Sequence, residues 1–259
     1  MTRGRLSRWM LSAETWFVYL FLYAPILILV IFSFNKSRYA IWEGFSWQWY
    51  MDLARDQVIQ RSIKNSLIVA IVATVASTLI GSLAALGMQR FHFKGKTGLD
   101  ALFYLPVIIP EIVMAASLVI FFGFVRFTLG MTTVILAHIA FCVSYVIIVV
   151  RARLEGFDRT LEEAAMDLGA NEFTTFFKIT LPLIFPGILS GALLAFTLSI
   201  DDYLITSFVA GVGSTTLPLQ IYSMVKTKVT PEINAVSTLL LIPTIILIVL
   251  ADRLQRERT

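Results

Sequence analysis

Six long apolar runs, separated by more polar segments, dominate the pattern of this 259-residue chain. A bilayer core about 30 Å thick requires roughly 20 apolar residues in a helix. The predicted spans are residues 16–34, 66–88, 99–124, 127–150, 183–205 and 233–251. The third run contains Glu111, and we expect the fifth helix to continue past Asp201 and Asp202. The pattern predicts an all-α integral membrane protein with six transmembrane helices in a single domain, residues 1–259.

Composition excludes several other classes of protein. Hydrophobic residues make up 58% of the chain and charged residues 15%, whereas a soluble domain carries about 25% charged residues. Cys142 is the only cysteine, so a disulfide scaffold is excluded. The net charge of +4 is small and dispersed, which argues against nucleic acid as a partner.

The basic residues between the runs predict the orientation. Cytoplasmic segments of membrane proteins are enriched in Lys and Arg. With a cytoplasmic N-terminus, most of the 21 basic residues fall in cytoplasmic segments, including Arg90, Lys94 and Lys96 in one short loop. We therefore expect both termini to be cytoplasmic.

The cytoplasmic loop at residues 151–182 has the pattern of a docking element. Thr160 and Glu163 have the spacing of a capping box, which predicts a helix start, and Gly169 is suited to end that helix. Four residues share its narrow apolar face: Leu161, Ala164, Ala165 and Leu168. Asn171 is expected to cap a second short helix.

The acidic face of that first helix, with Glu162 and Glu163, is unlike the basic face of a helix lying on a membrane. Docking into a groove of another protein is therefore the favoured interpretation. Packing beneath its own helix bundle remains an alternative.

The same loop resembles the "EAA" loop of ABC-importer permeases. Glu163-Ala164-Ala165 is followed by Gly169 and then by Ile179, Leu181 and Pro182, at the spacing of that motif. Further segments resemble the second permease subunit of spermidine/putrescine importers: Tyr23-Ala24-Pro25, Ser33-Phe34-Asn35, Trp49-Tyr50, residues 164–170, 196–202, 221–226 and 231–235. Glu111 departs from the Asp common at that position, but the charge is kept.

The resemblance implies a MetI-like fold and a non-catalytic transport subunit in a bacterial inner membrane. It also implies that Glu163, Ala164, Ala165 and Gly169 couple to an ATPase, and we include Glu162 and Leu168 of the same helix. The implied partners are a second, different permease, an ATPase dimer that binds ATP and Mg²⁺, and an external solute-binding protein, besides membrane lipid. The chain itself is expected to bind no cofactor or metal.

Carboxylates inside the predicted spans are candidates for the substrate path. Such groups cost several kcal/mol and usually face a partner, a cavity or a pathway. Glu111, Asp201 and Asp202 would attract a cationic amine, and Ser199 and Trp49 are weaker candidates. Glu111 at a helix N-terminus, hydrated aspartates at a helix end, and Trp49 in an interfacial aromatic belt are the structural alternatives.

A stand-alone secondary transporter or cation channel that uses these carboxylates is the competing function. An intramembrane enzyme is disfavoured, because two histidines and one cysteine offer little for a catalytic site. Gly95-Lys96-Thr97 resembles the end of a phosphate-binding loop, but Arg90 stands where that motif requires glycine. We interpret His138 as a hydrogen-bonded core residue, and Gly187, Gly191 and Ala195 as a helix-packing stripe.

Overall fold

The computed structural model describes residues 3–39, 41–227 and 230–256, and the side-chain surroundings of residues 11–39, 41–227 and 230–246. Residues 1–2 and 257–259, to which the predicted cytoplasmic termini extend, lie outside this part. The helices are α1 (Arg3–Phe32), α2 (Gln48–Leu53), α3 (Gln57–Arg90), α4 (Lys96–Ile108), α5 (Glu111–Phe124), α6 (Met131–Glu155), α7 (Thr160–Asp167), α8 (Glu172–Thr175), α9 (Leu181–Asp201), α10 (Leu204–Val209), α11 (Leu217–Thr227) and α12 (Pro231–Arg256). A π-helical turn, Phe176–Thr180, joins α8 to α9.

Four helical stretches in the described part of the chain are long and apolar enough to cross a bilayer: Leu11–Phe32, Gln57–Arg90, Met131–Glu155 and Glu172–Asp201. The α4–α5 pair makes a fifth if it counts as one broken span, and α12 is apolar over Pro231–Ile246. The structure is thus nearly all helical, and the count of six spans stays a prediction, as does a single transmembrane domain.

The third predicted span, residues 99–124, is wrong as a continuous helix. The chain bends by 111° between α4 and α5. Pro110 has no backbone N–H and disfavours a helical conformation in the residue before it, and Ile109 is accordingly extended. The break makes Glu111 the first residue of a new helix rather than a mid-helix residue.

The fifth predicted span, residues 183–205, begins close to the start of α9 at Leu181 but is wrong at its C-terminal end. The helical run begins at Glu172 and continues through α8, the π-helical turn and α9, so the second short helix predicted after Asn171 is the start of this long run. It ends at Asp201, and Asp202 has an extended backbone. The new helix α10 then follows, because the Asp202 carboxylate caps it.

The described residues form two compact units. One contains residues up to 60 together with 221–243, and the other contains residues 61–220 together with those from 244 onward. In the first unit, Asn35 organises the segment after α1: its amide donates to the carbonyls of Tyr39 and Ile41, and its Oδ1 accepts from the Glu43 N–H. These hydrogen bonds hold the backbone of Tyr39, Ile41 and Glu43 against Asn35.

The core of the second unit is built around α6 and α9, which pack closely along their length. Gly187, Gly191 and Ala195 are buried on α9, as the packing interpretation predicts. A Cβ atom on Gly187 would lie 2.6 Å from Cβ of Arg153, and the Cys142 thiol lies 3.6 Å from the Ala195 carbonyl oxygen. Small residues therefore allow the two helix backbones to approach.

Candidate functional site

The α7 helix begins and ends near the predicted residues, but its cap differs from the prediction. Asp158 Oδ1 accepts the Thr160 N–H at 3.0 Å, and hydrogen bonds from Thr160 lower the pKa of Asp158. The expected capping box of Thr160 and Glu163 is therefore replaced by a cap two residues earlier. Gly169 has φ +92°, a left-handed conformation that favours glycine and stops the helix.

The α7 helix lies at the surface of the second unit, with none of its residues buried. Glu163 and Ala164 are exposed, Ala165 is half-buried, and Leu168, just after the helix, is 90% exposed. Exposed apolar side chains together with acidic ones are typical of a surface that a partner protein covers.

Glu162 is the exception among the predicted coupling residues, because its side chain contacts the rest of its own unit. Its carboxylate accepts hydrogen bonds from Arg90 Nη2 at the end of α3 and from Thr180 Oγ1 in the π-helical turn. Arg159 adds a bond from Nη2 to the Gln89 carbonyl at 2.9 Å. Two adjacent glutamates thus have opposite environments.

A buried polar network joins α6, α9 and α10 at the break after Asp201. His138 is fully buried; its Nδ1 lies 2.7 Å from Ser199 Oγ, and its Nε2 lies 3.0 Å from Thr206 Oγ1 and 3.2 Å from Asp202 Oδ2. The sequence-based interpretation of His138 as a hydrogen-bonded core residue is confirmed.

The Asp202 carboxylate is buried and nearly saturated with hydrogen bonds. Oδ2 accepts the Thr206 N–H and hydroxyl, both at 2.8 Å, and Oδ1 accepts the Ile205 N–H at 3.2 Å. Because the Thr206 hydroxyl donates to Asp202, one neutral tautomer satisfies His138: Nε2–H donates and Nδ1 accepts from Ser199. The structural alternative of a hydrated aspartate at a helix end is therefore wrong for Asp202, because its side chain is buried.

Glu111 and Asp201, in contrast, have exposed side chains. Glu111 follows Pro110 in the first turn of α5, where the helix dipole favours a negative charge. Its carboxyl group neighbours that of Asp202, and the Tyr145 hydroxyl lies within its electrostatic reach. The structure therefore brings Glu111, Asp202 and Ser199 into one polar region, with Asp201 next to it along the chain.

Trp49 belongs to the first unit, where it is buried and its indole N–H donates to the Asn35 carbonyl at 2.7 Å. This bond anchors α2 to the loop after α1. No local pattern marks Asn35 for this anchoring or Thr180 for contact with Glu162, because each contact joins residues that are distant along the chain.

Comparison with known proteins assigns this arrangement to a family. The profile of the family described as "Binding-protein-dependent transport system inner membrane component" matches residues 77–256. The chain belongs to this family. It is a multi-pass inner-membrane permease, and the predicted class of transport subunit is confirmed.

Curated relatives match the permease over most of its length. The spermidine/putrescine transport system permease protein PotC of Haemophilus influenzae is 43% identical over 254 residues, covering 97% of this chain and 99% of the relative. The putrescine transport system permease protein PotI of Escherichia coli is 45% identical over 229 residues, covering 85% and 82%. These names confirm the resemblance to the second permease subunit of spermidine/putrescine importers.

Solved structures support the fold. A bacterial ABC transporter involved in the import of the acidic polysaccharide alginate gives a TM-score of 0.78 at 18% identity, over 99% of this chain and 97% of that one. The MetNI methionine ABC transporter gives a TM-score of 0.65 at 18% identity, over 83% and 100%. The predicted MetI-like, ABC-importer permease fold is confirmed, whereas the roles of individual residues stay predictions.

Proposed function

We propose that this permease forms half of the translocation path of an ATP-driven importer of polyamines such as spermidine and putrescine. The observation that carries the proposal is 43% identity, over nearly the full length of both chains, to a permease named for these two solutes. The other half is a second permease of different sequence, and an external solute-binding protein delivers the solute.

The polar region around Asp202 suits a cationic amine. Glu111 and Asp201 keep exposed carboxylates, so we assign to them the direct contacts with the ammonium groups. Asp202 is held by His138 and Thr206 and adds negative charge behind Glu111. Adjacent carboxylates repel each other in a medium of low dielectric constant, and a cation between them relieves that repulsion.

Ser199 and Trp49 have supporting roles in this proposal. Ser199 orients His138, and Trp49 fixes the loop after α1 through Asn35. Neither needs to touch the solute, which refines their assignment to the substrate path.

Energy for import comes from outside this chain. We assign ATP and Mg²⁺ to an ATPase dimer that docks on the exposed surface of α7, where Glu163, Ala164, Ala165, Leu168 and Gly169 form the contact. An acidic and partly apolar helix is suited to a groove with basic and apolar walls.

The test is uptake of labelled spermidine and putrescine by cells with and without this gene, with the other components present. Saturable uptake that depends on the gene and on ATP supports the proposal, and competition by unlabelled amines ranks the solutes. If deleting the gene left uptake unchanged in a host without other polyamine importers, the assignment of polyamines as the substrate would be rejected. Uptake that follows an ion gradient and needs no ATPase would instead favour a secondary transporter.

A further inference from the structure

Three structural elements meet at the Glu162 carboxylate. Arg90 is the last residue of α3, Thr180 is the last residue of the π-helical turn before α9, and Glu162 lies in the first turn of α7. Arg90 Nη2 also lies 3.4 Å from Thr180 Oγ1, so the three side chains contact one another. The Glu162 side chain retains only 16% of its exposure, against 40% for Arg90.

Polar contacts rather than close packing hold α7 at this point. Arg90 and Glu162 line two cavities, one of about 250 Å³ that also borders Met166 and Phe176, and a smaller one that borders Leu154 and Phe157. Since no residue of α7 is buried, the bonds of Glu162, together with that of Arg159, are its principal polar attachments among the described residues. The larger cavity leaves open space beside the pair on the side of Met166 and Phe176.

The π-helical turn gives the third partner a special position. Such turns are rare, occur mostly as single turns within α-helices, and are frequently found at functional sites. Here the turn lies between the surface segment at α8 and the long packed helix α9, and Glu162 bonds its last residue. A displacement of α7 would therefore act on the π-helical turn that leads into α9 and on the end of α3.

We propose that Glu162 is a positioning residue which, with Arg90 and Thr180, forms a joint that passes displacement of α7 to the ends of α3 and α9. The inference rests on the proposed function, because docking of an ATPase supplies the displacement. It divides the two glutamates between two tasks: Glu163 faces the ATPase, and Glu162 faces its own chain.

The primary experiment measures solute imported per ATP hydrolysed in proteoliposomes that contain the complete complex. Glu162→Arg and Arg90→Glu are each expected to lower this ratio at least fivefold, and the double exchange is expected to restore at least half of it. Glu155→Arg, at an exposed carboxylate near the end of α6, is the matched control and should keep the ratio. Single variants with a normal ratio, or a double exchange no better than the singles, would overturn the joint.

A second measurement uses the milder variant Glu162→Gln and needs no transported solute. Hydrogen exchange of the amides in residues 160–168 is compared between wild-type complex and Glu162→Gln. The joint predicts exchange at least tenfold faster in the variant and little change for Glu155→Gln. Unchanged protection would reject the joint. Failure of the wild-type complex to import any polyamine would reject the proposed function while this measurement still decides the joint.

Discussion

Two carboxylates that follow breaks in the helices, Glu111 and Asp202, differ in their surroundings. Asp202 is buried and receives hydrogen bonds from Thr206 and His138, so the hydrogen-bonding needs of its carboxylate are met inside the chain. Glu111 is exposed and has another carboxylate as a neighbour. Removing the Glu111 carboxylate should therefore lower transport, whereas disrupting the network around Asp202 should lower the stability of the permease.

Glu111→Gln is expected to lower spermidine import at least tenfold without affecting assembly. The amide keeps the size of the side chain but removes the charge that attracts an ammonium group. Initial uptake rates in proteoliposomes measure the effect, and co-purification of the subunits measures assembly. Glu155→Gln should import at the wild-type rate, and a wild-type rate for Glu111→Gln would contradict the acidic path.

His138→Ala is expected to destabilise the permease by roughly 2–4 kcal/mol, because it leaves a cavity and removes a buried partner from Asp202 and Ser199. The midpoint of thermal unfolding of the purified complex measures the loss. His92→Ala provides a matched control, since this histidine is exposed and should tolerate the change. Equal midpoints for the two variants would show that the network contributes nothing to stability.

At the scale of elements, apolar length predicts where helices occur but not where they break. The runs around α3, α6 and α9 were recognisable because a membrane imposes length and polarity on any helix that crosses it. The break after Asp201 was missed although Asp202 is a suitable N-cap residue, because the apolar pattern continues through it. At the other break, Pro110 is itself a local signal in the sequence. Only the bend of 111° had to be read from the structure.

Close approach of α6 and α9 gives a prediction for Gly187. Alanine there would place a Cβ 2.6 Å from Cβ of Arg153, so one helix must shift, at a cost of about 1–3 kcal/mol. Gly98→Ala is the control: no atom lies within 4 Å of its added Cβ, and alanine favours the helix by about 0.5–1 kcal/mol. Thermal unfolding of both variants measures the difference, and a Gly187→Ala variant as stable as wild type would contradict this packing.

At the scale of the whole molecule, the sequence predicts a docking helix. It does not show which residues of that helix face a partner and which face the rest of the chain. Glu162 and Glu163 are adjacent and chemically identical, and only the distant partners Arg90 and Thr180 turn one of them inward. The EAA spacing identifies the helix as a whole as a docking element. The contacts that link α7 to α3 and to the π-helical turn before α9 join distant parts of the chain, so no local sequence pattern predicts them.

Leu168 offers a test that separates docking from folding. With 90% of its side chain exposed, Leu168→Ser should change the stability of the isolated permease by no more than about 0.5 kcal/mol. If the ATPase covers this side chain, losing its burial costs about 1.5–3 kcal/mol, which corresponds to roughly tenfold to hundredfold weaker association. Val212→Ser, at a fully exposed apolar residue between α10 and α11, serves as control and should leave ATPase binding unchanged. Retention of the ATPase on the immobilised permease, measured across ATPase concentrations, gives the affinity. Equal affinity for Leu168→Ser and wild type would place the docking surface elsewhere. Weaker binding with unchanged stability would show that Leu168 stabilises the complex with the ATPase rather than the fold of the permease.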